Sequence, residues 1–205
     1  HLNNGMQLVY EYMPNVKSVS VGIWVRAGSM YEKKSESGIS HFIEHMLFKG
    51  TQKRSAKRIA EEIDSVGGQI NAYTARECTC YYSRTLGESL ELLIDILSDM
   101  YFNSVFTEDD TEIERGVITE EINMYEDSPE DVALDTLSKA AWGECGLGFS
   151  VSGEAETVEK IERKHLVDFA EKYYTAENTV VSVAGNFDEE EVLSCLEKHF
   201  QSIPE

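Results

Sequence analysis

Hydrophobic residues recur at every second position in several short stretches of the chain, which is the pattern of half-buried β-strands. Val19, Val21, Ile23 and Val25 show it most clearly. Together with a β-branched apolar run near the end of the chain, this pattern predicts strands over residues 6–12, 18–26, 69–74, 79–85 and 179–184. Residues 13–15 form the turn between the first two strands, and residues 75–77 lie near the turn between the third and fourth.

Elsewhere the hydrophobic residues recur at intervals of three and four, the period of an amphipathic helix. This spacing, together with capping residues, predicts helices over residues 39–48, 55–66, from 88 onward, 108–125, 130–142, 163–174 and 188–200. A glycine-rich loop is predicted over residues 143–153. Strands and helices mixed in this order predict an α+β fold, with helices packed on a largely antiparallel sheet.

The charge of the chain narrows the classes of partner. The 205 residues include 18 Lys and Arg against 38 Asp and Glu, a formal net charge of −20. Such a surface repels nucleic-acid phosphates and anionic lipid headgroups, so no nucleic-acid partner is expected. No segment approaches the ~20 consecutive apolar residues of a membrane-spanning helix, so no membrane association is expected.

The four cysteines are few for a disulfide-stapled domain of this length. Reduced thiols, and hence a cytoplasmic location, are expected. Cys78 and Cys80 are two positions apart in a strand-rich segment and would face the same side of a sheet. Two interpretations stay open for this pair: half-buried strand residues, or half of a metal site that needs two more soft ligands.

His41, Glu44 and His45 give the clearest chemical signal. In a helix, their spacing of i, i+3 and i+4 places the three side chains on one face. Two imidazoles so placed can bind one metal ion while the carboxylate reaches a water molecule on it, as a hydrolytic zinc site requires. The order is the inverse of the H-E-x-x-H motif. The alternative is a set of hydrogen-bonded core residues, but three inward polar groups on an otherwise apolar helix need partners.

The acidic helix predicted over residues 108–125 offers a third ligand. With Ile113 set at 0° and a step of about 100° per residue, Glu114 and Glu121 fall at about 100° and 80°. Both lie in the middle of an arc that we expect to be buried, because the apolar residues of the helix define it: Ile113, Val117, Ile118, Ile122, Met124 and Tyr125. A buried carboxylate needs a cation. That cation is either a metal ion or a buried Arg or Lys, and Arg115 flanks Glu114.

These motifs resemble the pitrilysin, insulinase and mitochondrial-processing-peptidase-like zinc metallopeptidases, and the resemblance extends over nearly the whole chain. It is carried by several segments in the family order: His41-Phe42-Ile43-Glu44-His45, Leu47-Phe48-Lys49-Gly50-Thr51, Gly67-Gly68-Gln69-Ile70-Asn71-Ala72-Tyr73-Thr74, the segment from Glu114 to Ile122, and Val183-Ala184-Gly185-Asn186-Phe187-Asp188.

The resemblance implies a set of metal ligands. His41, His45 and Glu121 would bind one zinc ion per chain, and Glu114 would support the site from behind the ligands. Glu44 would be the general base that takes a proton from zinc-bound water during peptide hydrolysis.

The resemblance also implies how a substrate binds. The strand over residues 69–74 would be an edge strand to which a peptide adds as a further strand. Asn71, Ala72 and Tyr73 are therefore the substrate-binding candidates.

In this family two such halves, in one chain or as two subunits, close around a chamber like a clamshell. The resemblance implies that residues 1–205 form a single peptidase domain, the N-terminal half, with residues 201–205 at the start of a linker. The other half would be a second half-domain or a partner subunit, for which a second copy of this chain is one candidate. The isolated half is expected to be weakly active or inactive.

The function implied is that of a zinc-dependent endopeptidase that hydrolyses short or unfolded peptides, as a processing protease does. Two alternatives stay open: a non-catalytic scaffold or assembly subunit of the same fold, and a peptide-binding module with a structural metal. Glu44 separates them, because a closed structural site has four protein ligands and no poised base.

Overall fold

A computed structural model describes residues 1–200, and the linker predicted over residues 201–205 lies outside this range. Five strands form one sheet: β1 (Gln7–Tyr12), β2 (Ser18–Val25), β3 (Gln69–Thr74), β4 (Thr79–Leu86) and β5 (Thr179–Gly185). Their order is β1-β5-β2-β4-β3. β1 runs parallel to β5, and the other neighbouring pairs of this sheet are antiparallel. The predicted α+β class with a largely antiparallel sheet is confirmed.

Eight helices lie among the described residues: α1 (Ile39–Leu47), α2 (Ala56–Ser65), α3 (Leu90–Asn103), α4 (Glu108–Glu126), α5 (Pro129–Trp142), α6 (Ala155–Val158), α7 (Arg163–Tyr173) and α8 (Glu189–Phe200). Seven of them match predicted helices, and where an end was predicted it is shifted by at most two residues. The exception is α6, in a stretch for which no helix was predicted. At four residues it is too short to show a helical period, and reciprocal hydrogen bonds of Glu154 and Thr157 hold its first turn.

The core lies between the helices and one face of the sheet. Alternate residues of β2 and β5 are buried there, among them Val21, Ile23 and Val181. α1 packs on β3 and β4, and α3 packs on β2 and β4. The opposite face of the sheet leaves Tyr73 and Tyr82 exposed. A sheet covered on one side produces this alternation, which is why the strands were readable from the sequence.

β3 is the edge strand next to which α1 packs. Among the described strands its only neighbour is β4, and residues 75–78 close the hairpin through a hydrogen bond from Ala75 N–H to the Cys78 carbonyl (2.8 Å). The backbone of β3 that faces away from β4 therefore has no partner strand within residues 1–200.

The cysteines are all free in the structure. Cys80 is buried within β4, and Cys78 is half-buried just before this strand begins. Within residues 1–200 no cluster of potential metal ligands includes either residue. The structure therefore favours the strand interpretation of this pair.

None of the helices within residues 1–200 has the length and apolar character needed to cross a membrane.

Candidate metal centre and its cleft

The N-terminus of α1 is fixed by a buried carboxyl group. Glu32 accepts hydrogen bonds from the backbone N–H groups of Gly38 (2.7 Å) and Ser40 (2.9 Å). Gly38 has a φ of 91°, and a Cβ at this position would lie 2.7 Å from the Ser152 carbonyl oxygen. The apolar side chains of α1 are buried: Ile39, Phe42, Ile43, Met46 and Leu47. Packing thus fixes the helix along its length, and this in turn fixes the direction in which its polar side chains point.

The side chains of His41 and His45 converge on Glu121 of α4. The Nε2 atoms of His41 and His45 lie 3.6 and 3.4 Å from Oε2 of Glu121. One ligand atom of each of the three residues lies within 4.8 Å of the others. Two imidazoles and one carboxylate are the donor set of a catalytic zinc site that keeps one position for water or substrate. The residues present therefore fit a zinc ion.

Glu114 lies behind His45, on the same face of α4 as Glu121 and about two helical turns before it. Its Oε2 accepts a hydrogen bond from Nδ1 of His45 (3.0 Å), and Nζ of Lys49 lies 2.5 Å from its Oε1. Glu114 therefore has a basic partner, as one of the two alternatives predicted, but this partner is Lys49 and not Arg115. Arg115 points elsewhere and donates to backbone carbonyls, including that of Val158 (2.7 Å). A carboxylate on the far nitrogen of a ligand histidine fixes the ring orientation and the tautomer that leaves Nε2 unprotonated.

The predicted buried arc of α4 is wrong on one side. Ile118 and Ile122 are buried as expected, but Ile113, Val117, Met124 and Tyr125 are exposed. Among the described elements α1, α5 and α6 pack against α4, and the buried side of the helix, which includes Glu114, is narrower than predicted. The apolar periodicity was real, but Ile113, Val117 and Met124 lie outside the side that other described residues bury.

Burial sets the protonation of the site. It lowers the pKa of His41 to about 4, with the nearby His45 adding to the effect, so the ring is neutral and able to bind a metal at pH 7. Burial also raises the pKa of Glu44, although a hydrogen bond from the Thr74 hydroxyl (2.5 Å) to its Oε2 opposes this shift. A carboxyl whose pKa is moved towards neutrality can both accept and return a proton.

The site opens into a cleft of about 780 Å³. His41, Glu44 and Glu121 lie on its wall, and β3 contributes Ala72, Tyr73 and Thr74. Of the three substrate-binding candidates, the structure brings Ala72 and Tyr73 to this cleft. Asn71 lies outside it, beside Tyr82 and Arg84 in a second, smaller depression.

The opposite wall of the cleft was not predicted as part of a site. It consists of α5 and the glycine-rich loop, which contribute Val132, Leu134, Leu137 and residues 148–154 among others. Arg76 ties this wall to the β3–β4 turn by donating to Ser138 Oγ (2.9 Å) and the Leu147 carbonyl (3.1 Å). The signal in the sequence was the apolar periodicity of α5, whose residues Leu134, Leu137 and Trp142 are exposed.

Comparison with known proteins gives consistent matches. A family model described as Insulinase (Peptidase family M16) matches residues 7–155, and one described as Peptidase M16 inactive domain matches residues 160–205. The chain is 44% identical over 199 residues to YmxG of Bacillus subtilis, which is named an uncharacterized zinc protease; the match covers 97% of this chain and 48% of the relative. Over 200 residues it is 42% identical to the uncharacterized zinc protease SCO5738 of Streptomyces coelicolor, with 98% and 44% covered.

Solved structures agree. A protease from Helicobacter pylori superposes with a TM-score of 0.94 at 26% identity, over 98% of this chain and 49% of that one. Pitrilysin shares the fold, with a TM-score of 0.87 at 24% identity over 98% of this chain and 22% of the other. The chain spans about half the length of the curated relatives it matches.

Proposed function

The chain belongs to the insulinase family, peptidase family M16, and on this premise we propose that it is the zinc-binding, catalytic half of an endopeptidase that hydrolyses short or unfolded peptides. One observation carries the proposal: the Nε2 atoms of His41 and His45 converge on a Glu121 carboxylate oxygen at the wall of an open cleft, and Glu44 lies on the same wall. The family and the names of the relatives support a zinc protease of this kind.

His41, His45 and Glu121 would hold one zinc ion per chain. A zinc ion bound there supplies a Lewis acid that activates water near neutral pH and polarises a carbonyl oxygen. Glu114 keeps His45 in the orientation that points Nε2 at the site, through the 3.0 Å hydrogen bond to Nδ1.

Glu44 acts as the general base. Its carboxylate accepts a proton from the attacking water and then donates that proton to the leaving amine nitrogen. The hydroxyl of Thr74 donates to Oε2 of Glu44 and so fixes the direction of the carboxylate, while the second oxygen stays available for the water. Because Thr74 belongs to β3, this hydrogen bond links Glu44 to the strand on which we place the substrate.

The free edge of β3 binds the peptide backbone. Ala72 N–H on this strand donates to the side-chain oxygen of its neighbour Asn71 (2.8 Å), so it is not used in the ladder with β4. When the Asn71 side chain turns away, the Ala72 N–H donates a hydrogen bond to a substrate carbonyl oxygen. Tyr73, whose side chain lies on the other face of the sheet from that of Ala72, contacts substrate side chains. Main-chain recognition of this kind makes little demand on the substrate sequence.

A second half completes the chamber. The curated relatives are about twice as long as this chain, and four exposed apolar residues of α4 and α5 line the cleft: Tyr125, Val132, Leu134 and Leu137. The second half-domain or partner subunit, with a homodimer as one possibility, faces this cleft and confines the peptide. The chain by itself is weakly active or inactive. A cytoplasmic location is part of the proposal, supported by four free cysteines, of which Cys145 is exposed.

The competing function is a non-catalytic scaffold, favoured by the match of an inactive-domain model to residues 160–205. That match begins after the last of the four functional residues. A scaffold has no physical need for two histidines that converge on a carboxylate beside a base held by Thr74, so the peptidase is the better supported function.

The test combines metal content with peptide hydrolysis. Zinc is measured by elemental analysis on the chain, and cleavage of an unstructured fluorogenic peptide is measured on the protein at its native length. We expect Glu44→Gln to retain the zinc content of the parent chain and to lose about 10²–10⁴-fold in kcat, whereas His45→Ala has about one zinc fewer per chain than the parent and is also inactive. The matched control is Glu120→Gln on the exposed side of α4, which changes neither quantity. Hydrolysis that survives Glu44→Gln would overturn the assignment of the base.

A further inference from the structure

A second group of metal-binding side chains lies on the surface between α3 and α8, away from the cleft. Cys195 and His199 are one turn apart on α8, and Glu91 lies on α3, which packs against it. One ligand atom of each of the three residues lies within 4.8 Å of the others. Donors at i and i+4 on one helix share a face, so the two helices present them to the same point.

The ring of His199 lies next to a carboxylate. Its Nδ1 lies 3.3 Å from Oδ1 of Asp95, while its Nε2 is buried and has no hydrogen-bond partner among residues 1–200. Asp95 is in turn held by the guanidinium of Arg54. A carboxylate on one ring nitrogen and a lone pair on the other is the arrangement found behind metal-binding histidines. A buried nitrogen without a partner is costly, so a ligand for Nε2 is favoured on energetic grounds.

The donors select the type of ion. The thiol of Cys195 is largely buried, the imidazole comes from His199, and Glu91 adds a carboxylate that now pairs with Nζ of Lys198 (2.8 Å). A sulfur, a nitrogen and an oxygen suit a borderline-soft ion such as Zn²⁺ and do not suit Ca²⁺ or Mg²⁺, which prefer oxygen alone. The Glu91–Lys198 pair is exposed and contributes little, so its exchange for a metal bond costs little.

We propose that Glu91, Cys195 and His199 form a second transition-metal site, of the zinc type, which clamps α8 onto α3. On binding, bonds form from the metal to the Cys195 sulfur, to Nε2 of His199 and to one Glu91 oxygen. The thiol proton passes to the solvent, and the charge of the ion is met by two anionic ligands. Asp95 is a positioning residue for His199.

Cobalt spectroscopy tests this site independently of the candidate catalytic centre. A thiolate bound to Co²⁺ gives a charge-transfer absorption in the near ultraviolet, and the group of His41, His45 and Glu121 contains no sulfur. The full chain, as the His45→Ala variant to weaken the other centre, is titrated with Co²⁺ and then with Zn²⁺. We expect the absorption to appear with about one cobalt bound and to disappear when zinc displaces it.

Matched variants locate the site. Cys195→Ser abolishes the absorption, whereas Cys145→Ser, which changes the exposed cysteine, retains it in full. Asp95→Asn weakens cobalt binding by about 10–100-fold but leaves the absorption at saturation, as expected for a residue that acts through His199. Circular dichroism of each variant confirms that it is folded.

Two outcomes would overturn the proposal: no near-ultraviolet absorption in the folded parent chain, or an absorption that survives Cys195→Ser. If Cys195→Ser fails to fold, His199→Gln replaces it, and retention of tight cobalt binding with the thiolate absorption in that variant counts equally against the site.

Discussion

Replacement of Glu114 by Gln tests whether the residue behind His45 sets the affinity for zinc. Glu114 is only 2% exposed, accepts a hydrogen bond from Nδ1 of His45 at 3.0 Å and has Nζ of Lys49 2.5 Å from its other oxygen. The Gln side chain is nearly the same size, so the change removes the charge and leaves the packing. It is therefore a test of electrostatics and orientation.

The magnitude follows from the geometry. A hydrogen bond to a charged group contributes about 1.5–3 kcal/mol. Loss of a group that orients a metal ligand typically lowers metal affinity by about 10–100-fold, which is about 1.4–2.7 kcal/mol. The two ranges agree, so we expect the Kd for zinc at the centre of His41, His45 and Glu121 to rise by about 10–100-fold in Glu114→Gln.

The assay is competition with a chelator of known affinity at fixed pH and ionic strength, carried out in a Cys195→Ser background so that only one centre is counted. Two variants serve as controls. Glu120→Gln makes the same chemical change on the exposed side of α4 and should leave the Kd unchanged. Lys49→Met removes the other partner of Glu114 but keeps the bond to His45, so its effect on the Kd should be the smaller of the two.

A Kd for Glu114→Gln within twofold of the parent would refute the reasoning, because it would mean that His45 holds its orientation without the carboxylate. An equal loss of affinity in Lys49→Met would also contradict it, since the loss would then follow from the buried ion pair and not from the histidine.

Two further predictions concern stability. Arg54→Met leaves Asp99, which is nearly fully buried, without its cationic partner. We expect this change to lower the free energy of unfolding, measured in urea, by about 3 kcal/mol. The control Arg58→Met breaks an exposed ion pair and should lower it by less than about 1 kcal/mol; equal effects would contradict this. Burial raises the pKa of Glu32 from its ordinary 4.5 to about 7 despite two backbone hydrogen bonds, so the folded chain keeps a proton that the unfolded chain loses. The Glu32 contribution to the free energy of unfolding therefore falls as the pH rises between these values, by about 3 kcal/mol, and Glu32→Gln should flatten the measured stability–pH curve over this range; parallel curves for parent and variant would argue against it.

The parts of the centre that could be predicted are those fixed by local helical geometry. The spacing of His41, Glu44 and His45 determines that they share a face in any helix, and the angle between Glu114 and Glu121 around α4 is determined in the same way. Sequence periodicity did not reveal which side of α4 is covered. Val117 and Met124 follow the apolar pattern of a buried face but are exposed, because burial depends on what packs against a helix and not on the helix itself.

Long-range pairing was the other limit. The alternation in β1 and β2 predicted both strands and the turn between them, but β5, from the far end of the chain, inserts between the two and pairs in parallel with β1. The same holds for the cleft, whose second wall comes from α5 and the loop that follows it. No local sequence pattern specifies contacts between segments so far apart in the chain, since these contacts depend on the packing of the whole chain.

The ligands of the candidate centre come from two helices that are far apart in the chain. His41 and His45 share one face of α1, so that helix alone brings them together, whereas Glu121 lies on α4, and α2, the β3–β4 hairpin and α3 come between the two helices. A pair of imidazoles alone follows the general order of affinities and prefers Cu²⁺ to Zn²⁺. The carboxylate that would complete the proposed zinc geometry thus depends on the packing of α1 against α4, and we expect that geometry to belong to the folded protein and not to α1 alone.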